Sequence, residues 1–418
     1  MQPTKSRHTV IVFAVTLAVL SYIDRVAISY AAPNISRDLN FSKTDMGWIF
    51  LAFSAAYALF EIPGGWLGDK IGARKVLMRI VLWWSFFTMA TGWMWNFWSM
   101  FLARMLFGAG EAGCFPNLTK AYTNWLPKDE QVRAQGITWL SARWGGAVTG
   151  PLIIAVFTIM NWRSAFALFG AIGIIWAIMF FRWYRDNPAE HRSVNKEELA
   201  IIQVSAEKAE SHGDVPWAKL VLSGSVWGLW VQYFLLSYPW YFYITWLPTY
   251  LQEHWKVSGE ELGFLGAFPL FFGGLGSIFS GHFSPILARR IGSTRTARRS
   301  VATIGFAGAA VMMYTVTLTG SPLFAMIAMG MASFCNDLVM PNAWGACMDV
   351  GGKYAGTLSG SMNMMGNFAG LLAPVVAPLI LRFTSNDWNQ VLTVMAAVYL
   401  CGAFVWPFID PVTPLKQD

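Results

Sequence analysis

The sequence predicts an all-α membrane protein with twelve transmembrane helices in two pseudo-symmetric groups of six. Three observations carry that prediction. The 418-residue chain is 55% hydrophobic and only 13% charged, where a soluble domain carries about 25% charged residues. Its apolar residues gather into segments near 10–30, 45–67, 76–95, 98–122, 134–159, 163–183, 219–250, 260–287, 300–318, 321–348, 355–382 and 389–409, each close to the ~20 residues a spanning helix needs. One long polar stretch, 184–218, divides these segments six and six. The expected organisation is therefore an N-terminal half at 1–183, a central loop at 184–218 and a C-terminal half at 219–418. Hydrocarbon offers no water to backbone groups, so each segment must satisfy its own hydrogen bonds, as a helix does; the short alternating strands of a barrel are not in the sequence.

The first segment follows Lys5, Arg7 and His8, as a signal peptide would. It is too long for such a peptide's apolar region, lacks a clear small-residue cleavage site and contains Asp24 and Arg25, so it reads as a retained helix 1. The net charge of +7 is distributed by topology rather than for nucleic acid. Lys5, Arg7, Lys70, Arg74, Lys75, Arg79, Lys128, Arg133, the central-loop bases, Arg289, Arg290, Arg295, Arg298, Arg299, Lys353 and Lys416 fall on one side. Only Arg37, Lys43, Arg163, Lys256 and Arg382 fall on the other. By the positive-inside rule both termini are cytoplasmic, in the cell inner (plasma) membrane. The four cysteines lie in apolar segments without metal-ligand spacing, so neither a disulfide framework nor a metal site is implied.

Helix 1 ends in SYIDRVAISYAAP. Asp24 and Arg25 are adjacent and point about 100° apart, so they serve different partners; Tyr22 is a candidate to line a cavity beside them. Helix 2 carries Tyr57 and Glu61 one turn apart. Glu61 is either a second proton site or a hydrogen-bonding group between helices. The following GGWLGDKIGARK permits tight turning at Gly65, Gly68 and Gly72. There Asp69 can accept from a helix N-terminus or a basic partner, and Arg74 sits at the cytoplasmic face.

Helix 4, WSMFLARMLFGAGEAGCFPNLTKAYT (98–123), holds Arg104 and Glu111 seven residues apart, on one face. Each costs at least ~2.5–3.5 kcal/mol in a bilayer, so each must face a partner or a solvated path. The functional expectation is that Arg104 holds an anionic substrate while Glu111 handles a proton; the structural one is that they pair with each other or with another helix. Arg143, in SARWGGAVTGP of helix 5, either binds a substrate carboxylate or pairs with an acid such as Asp337 of helix 10. Part of the central loop, around 195–210, has the pattern of an amphipathic surface helix. Helix 7 is rich in Tyr and Trp and interrupted by Pro239 and Pro248.

Six stretches in order carry a family resemblance: YIDRVAISYAAP (22–33), EIPGGWLGDKIGARK (61–75), RMLFGAGEAGCFP (104–116), SARWGGAVTGP (141–151), ITWLPTYL (244–251) and CMDVGGKYAGTLSGSMNMMGNFAG (347–370). Over nearly its whole length the chain resembles the anion:cation symporters of the major facilitator superfamily. That branch includes bacterial galactonate, glucarate and hexuronate transporters and animal sialic acid and vesicular glutamate transporters. The resemblance implies the major facilitator fold, proton coupling at Asp24 and Glu111, and substrate contacts at Arg104, Arg25, Tyr57 and either Asn363 or Asn367. It also marks Gly65, Asp69, Gly72 and Arg74 as the signature loop. Two positions depart from the pattern: Glu61 stands where relatives often have glutamine, and Pro285 in GHFSPILARRIG (281–292) stands where an aspartate is common.

No GxxxxGK[ST] phosphate loop is present, and the five histidines support no Ser-His-Asp grouping, so neither ATP-driven work nor enzyme activity is expected, and no cofactor. The expected function is secondary active, proton-coupled symport (uptake) of an organic anion by alternating access. The expected substrate is a sugar acid such as an aldonate, aldarate or hexuronate. The expected partners are the small organic anion, protons and the lipid bilayer, with no nucleic acid, and the protein is expected to be a monomer. Two alternatives stand: an exchanger or uniporter for another monocarboxylate or an aromatic acid, and a non-transporting membrane receptor.

Overall fold

A computed structural model of the protein describes residues 2–203, 215, 217–257 and 259–415. Among these the chain is helical, with no strand. It follows the twelve-helix plan, and several spans are built from more than one helix. The elements are α1 (Ser6–Leu39), α2 (Lys43–Ile71), α3 (Ala73–Thr91), α4 (Phe97–Glu111), α5 (Cys114–Trp125), α6 (Lys128–Ile159), α7 (Trp162–Trp183), α8 (Lys196–Gln203), α9 (Trp217–Leu222), α10 (Gly224–Thr245), α11 (Leu247–Glu253), α12 (Gly259–Gly266), α13 (Phe268–Ile291), α14 (Thr294–Val316), α15 (Pro322–Gly351), α16 (Ala355–Phe383) and α17 (Trp388–Val405). The expected single segment at 98–122 is two helices, because Gly113 takes a left-handed φ of 81° between α4 and α5. Likewise 219–250 is divided among α9, α10 and α11. Of the stretch expected as a surface helix, Lys196–Gln203 is helical and 204–210 lies outside the described residues.

The chain forms two compact units. The first comprises residues 1–128, 145–215 and 351–364. Its helix starts are locally encoded: Ser42 with Asp45 and Asn96 with Ser99 form reciprocal capping boxes, and Asn161 caps α7. α1 has no acid in its own first turn, and Glu198 of α8 supplies one. Its carboxylate accepts from the Ser6 and Arg7 amides at 3.2 and 3.0 Å and pairs with Arg7 Nη1 at 3.3 Å. Glycines set the close crossings. A Cβ on Gly108 would lie 2.4 Å from the Phe53 carbonyl, and one on Gly170 would lie 2.5 Å from that of Ser85, so α2 with α4 and α3 with α7 touch at backbone level. An apolar cluster of Ile28, Ile35, Ile49, Met100, Trp162 and Phe166 fills the space beside the polar residues of α1 and α4.

The second unit comprises 129–144, 216–350 and 365–418. α14 packs against α13 and α17. Gly276 meets the Phe334 backbone, Gly305 meets that of Cys335, and Gly402 lies against the Phe306 ring. In both units large apolar side chains point outward, among them Leu59, Phe86 and Ile175 in the first and Ile304, Phe324 and Phe404 in the second. Arg104, Glu111, Arg143 and Asp337 are buried. That inversion of soluble-protein patterning suits hydrocarbon as the solvent.

Candidate functional site

The break after α4 builds the candidate site. A Cβ on Gly113 would sit 2.6 Å from Gly64 Cα, and one on Gly64 would sit 2.7 Å from the Ala112 carbonyl oxygen. Only glycine fits on either side, so α2 crosses the α4–α5 junction in backbone contact. Glu111, the last residue of α4, and Glu61 of α2 are both brought inside the first unit, fully buried. From α1, Ser21 and Arg25 lie one turn apart on one face and converge on Glu111. Ser21 Oγ donates to Glu111 Oε1 at 2.5 Å, and Arg25 Nε donates to the same oxygen at 2.8 Å. Glu111 Oε2 is buried with no hydrogen-bond partner. The Arg25 guanidinium rests over the Tyr57 ring at 4.2 Å and reaches Tyr22 at 5.9 Å.

Arg104 is treated differently. It is 1% exposed, and its guanidinium carbon lies 4.1 Å from the Phe107 centroid and 5.4 Å from that of Phe53. Nε and Nη1 have no hydrogen-bond partner. Asp24, buried on α1, and Glu111 both act on it electrostatically without bonding it, and Asp24 Oδ2 is also unpartnered. Of the two structural alternatives, pairing with each other or with another helix, Glu111 takes the second: its ion partner is Arg25 of α1. Seven residues of helix rise about 10 Å, so a shared face does not amount to contact. Arg104 is left as a buried guanidinium lined by aromatic faces, with fork donors suited to a planar carboxylate.

Asn363 and Asn367, the α16 candidates, have different company. Asn363 Nδ2 donates to Glu61 Oε1 at 2.6 Å, and Asn367 Oδ1 accepts from the Tyr241 hydroxyl at 2.8 Å in the second unit. Arg143 is also in the second unit. Its Nε and Nη2 grip Asp337 Oδ2 and Oδ1 at 2.8 and 2.9 Å, and its guanidinium lies 3.2 Å from the Trp240 centroid. Ser277 and Asn336 complete the Asp337 carboxylate. Of the two expected roles of Arg143, the arrangement seen is the pairing with Asp337, with Nε and Nη2 both bonded to its carboxylate.

The signature-loop residues form one fastening within the first unit. Asp69 accepts from the Gly356 and Thr357 amides at 3.0 and 2.5 Å and from the Thr357 hydroxyl at 2.7 Å, so it caps α16 from another helix. Lys120 lies 3.6 Å from Asp69 and donates to the Lys353 carbonyl at 2.6 Å. A Cβ on Gly65 would overlap the Gly356 carbonyl. Gly72, at φ 89°, faces the Asp186 carboxylate, to which the Arg74 amide donates at 3.0 Å. Sequence reasoning missed Ser21, Phe53, Phe107 and Trp240. Spacing of four from Ser21 to Arg25 and of three from Arg104 to Phe107 was the available signal.

A family model for the Major Facilitator Superfamily matches residues 14–374. A probable sulfoacetate transporter, SauU, of Cupriavidus necator is 33% identical over 98% of this chain and 95% of its own length. The hexuronate transporter of Bacillus subtilis is 28% identical over 98% and 96%. The crystal structure of the human organic anion transporter MFSD10 (TETRAN) superposes with a TM-score of 0.69 at 15% identity, covering 97% of this chain and all of that one; at that identity the likeness speaks for the fold.

Proposed function

The chain belongs to the major facilitator superfamily, and on that premise we propose that it is a proton-coupled symporter taking up a sugar acid such as an aldonate, aldarate or hexuronate. The observation that carries the reading is Arg104: a fully buried guanidinium with two nitrogens unbonded, aromatic faces against it, and the carboxyls of Asp24 and Glu111 acting on it without bonding it. Leaving such donors unsatisfied costs about 1–3 kcal/mol or more, a cost that an entering anion recovers. Arg25, Tyr22 and Tyr57 lie within the same cluster and are assigned to the substrate's remaining polar groups, with Asn363 and Asn367 the candidates from α16.

Proton coupling is assigned to Asp24 and Glu111, the buried carboxyls that act on Arg104. When Glu111 or Asp24 is protonated, the field holding Arg104 is relieved and an anion is bound more tightly; by linkage the anion then raises proton binding. The two halves, 1–183 and 219–418, are assigned to alternating access, with Asp69, Gly65, Gly72 and Arg74 as the cytoplasmic fastening. The protein is placed in the inner membrane as a monomer with both termini cytoplasmic.

The test is uptake into proteoliposomes under an imposed pH gradient, paired with a thermal-shift screen of the purified protein. Acid-outside gradients should drive accumulation of a galactonate, glucuronate or glucarate salt, and the same salt should stabilise the protein. A second reading, a small sulfonate as substrate, is favoured by the 33% identical relative named for sulfoacetate. In that case sulfoacetate outcompetes the sugar acids in the screen. Accumulation indifferent to the pH gradient would leave exchange or uniport.

A further inference from the structure

Glu61 is the buried acid that this reading leaves without work. It is fully buried on α2. Oε1 accepts from Asn363 Nδ2 of α16, and Oε2 has no hydrogen-bond partner. Around it stand Tyr57 on its own helix, Arg25 from α1, Cys114 and the Gly113 amide from the α4–α5 junction, and neutral Asn363 from α16. Arg25, the cation among them, already bonds Glu111.

The cluster as a whole is unbalanced. Asp24, Glu61 and Glu111 are three buried acids, and their bases are Arg104, buried, and Arg25, whose side chain is 21% exposed, so full ionisation leaves one net negative charge in the cluster. An anionic substrate adds to that excess. The sealed, loaded site balances a monoanion with two protons when Glu61 is present and with one when a neutral residue replaces it, because an uncompensated buried charge is far costlier than a buried neutral acid; the extra proton counts as transported only where the empty site returns with Glu61 ionised and hydrated.

The surroundings also tie this acid to a moving part. A Cβ on Gly360 would sit 2.7 Å from the Glu61 carbonyl, and one on Gly65 would overlap the Gly356 carbonyl. The first turns of α16 therefore seal the stretch of α2 that bears the carboxyl. Withdrawal of α16 would remove the Asn363 donor and admit water together.

We propose that Glu61 is a third proton-binding carboxyl, which takes up a proton as substrate enters and releases it to water when the start of α16 withdraws from α2. This rests on the symport reading and sharpens it: the chain moves one more proton per anion than Asp24 and Glu111 account for.

The experiment is the accumulation ratio at static head in proteoliposomes, measured against imposed pH difference with the membrane potential clamped at zero. The slope of log ratio against pH difference is the number of coupled protons. Wild type and Glu61→Gln are compared, with Glu61→Met as a second non-titrating variant. The expected result is that the variant slope falls by one while accumulation and counterflow exchange persist. A variant slope equal to a non-zero wild-type slope overturns the proposal and leaves symport standing. A wild-type slope of zero overturns the symport reading itself. Loss of counterflow in both variants also overturns the proposal, because exchange involves no net protonation and a pure proton carrier is dispensable for it.

Discussion

Two arginines, both 1% exposed and both inside apolar helices, end in opposite circumstances. Arg143 in the second unit is closed: two fork donors on Asp337, an indole against its face, and an acid whose two oxygens are further held by Asn336 and Ser277. Arg104 in the first unit is open: aromatic faces, two unbonded nitrogens, and carboxyls near enough to act on it without bonding it. The acids differ in the same way. Asp337 has both oxygens engaged, whereas Glu111 keeps Oε2 free of any bond. A buried charge with its partners built in is architecture; one left short of partners is poised for something that comes and goes. In the sequence the two arginines read alike.

The comparison breaks most sharply at Arg104. Arg104→Ala should abolish stabilisation by the anion in thermal shift and reduce uptake by at least about 30-fold, since a buried hydrogen-bonded charge pair at an interface is worth about 2–5 kcal/mol or more. Arg104→Lys should recover little, because an ammonium is not a planar fork. Unchanged affinity in the alanine variant would place the anion elsewhere. Next in size is Glu111→Gln. It should lose pH-driven accumulation while counterflow exchange continues, as the fixed neutral group still permits the loaded carrier to turn over. Normal accumulation in this variant removes Glu111 from coupling.

The closed pair should respond as structure. Asp337→Asn or Arg143→Gln alone strands a buried charge, and each should cost about 3–5 kcal/mol of stability. The double variant should recover most of that loss in thermal unfolding and keep anion-induced stabilisation. If the double variant folds but no longer responds to the anion, Arg143 is part of the binding site and its pairing with Asp337 is one state of a switch.

Much of this was legible before any coordinates. The apolar segments, the charge asymmetry and the signature-loop residues sufficed for the twelve-helix plan, and Asp69 as an acceptor for a helix N-terminus was readable from its setting. The helix breaks were less so. Gly113 interrupts a run that is apolar on both sides, and hydropathy is blind to a φ of 81°. Charge partners were least legible of all. Arg104 and Glu111 share a helix face and invite pairing, yet the bond to Glu111 comes from Arg25 on α1, which is distant in sequence. Arg143 was readable in two ways, and the bond to Asp337 was visible only once the two helices were placed together.

The smallest effects test a second contrast, between fastenings. In the first unit α16 is held by a charged acceptor, Asp69, with Lys120 behind it. In the second unit the segment with Pro285 in place of an acid uses neutral contacts, Ser284 Oγ donating to Asn342 Oδ1 at 2.6 Å. Hydrogen bonds to charged groups are worth about twice neutral ones, and a lost helix cap costs roughly 0.5–2 kcal/mol. Asp69→Asn should therefore speed amide exchange at residues 356–360 by about two- to thirty-fold, read by hydrogen–deuterium exchange. Ser284→Ala should change exchange around Asn342 by less, since a neutral bond contributes about 0.5–1.5 kcal/mol. The exposed Arg289–Asp129 pair, 3.9 Å apart, should add almost nothing to that second fastening. Equal sensitivity of the two segments would mean that backbone packing, Gly65 against the Gly356 carbonyl in the first unit and Gly136 against the Ser277 carbonyl in the second, holds them both rather than the charge of Asp69.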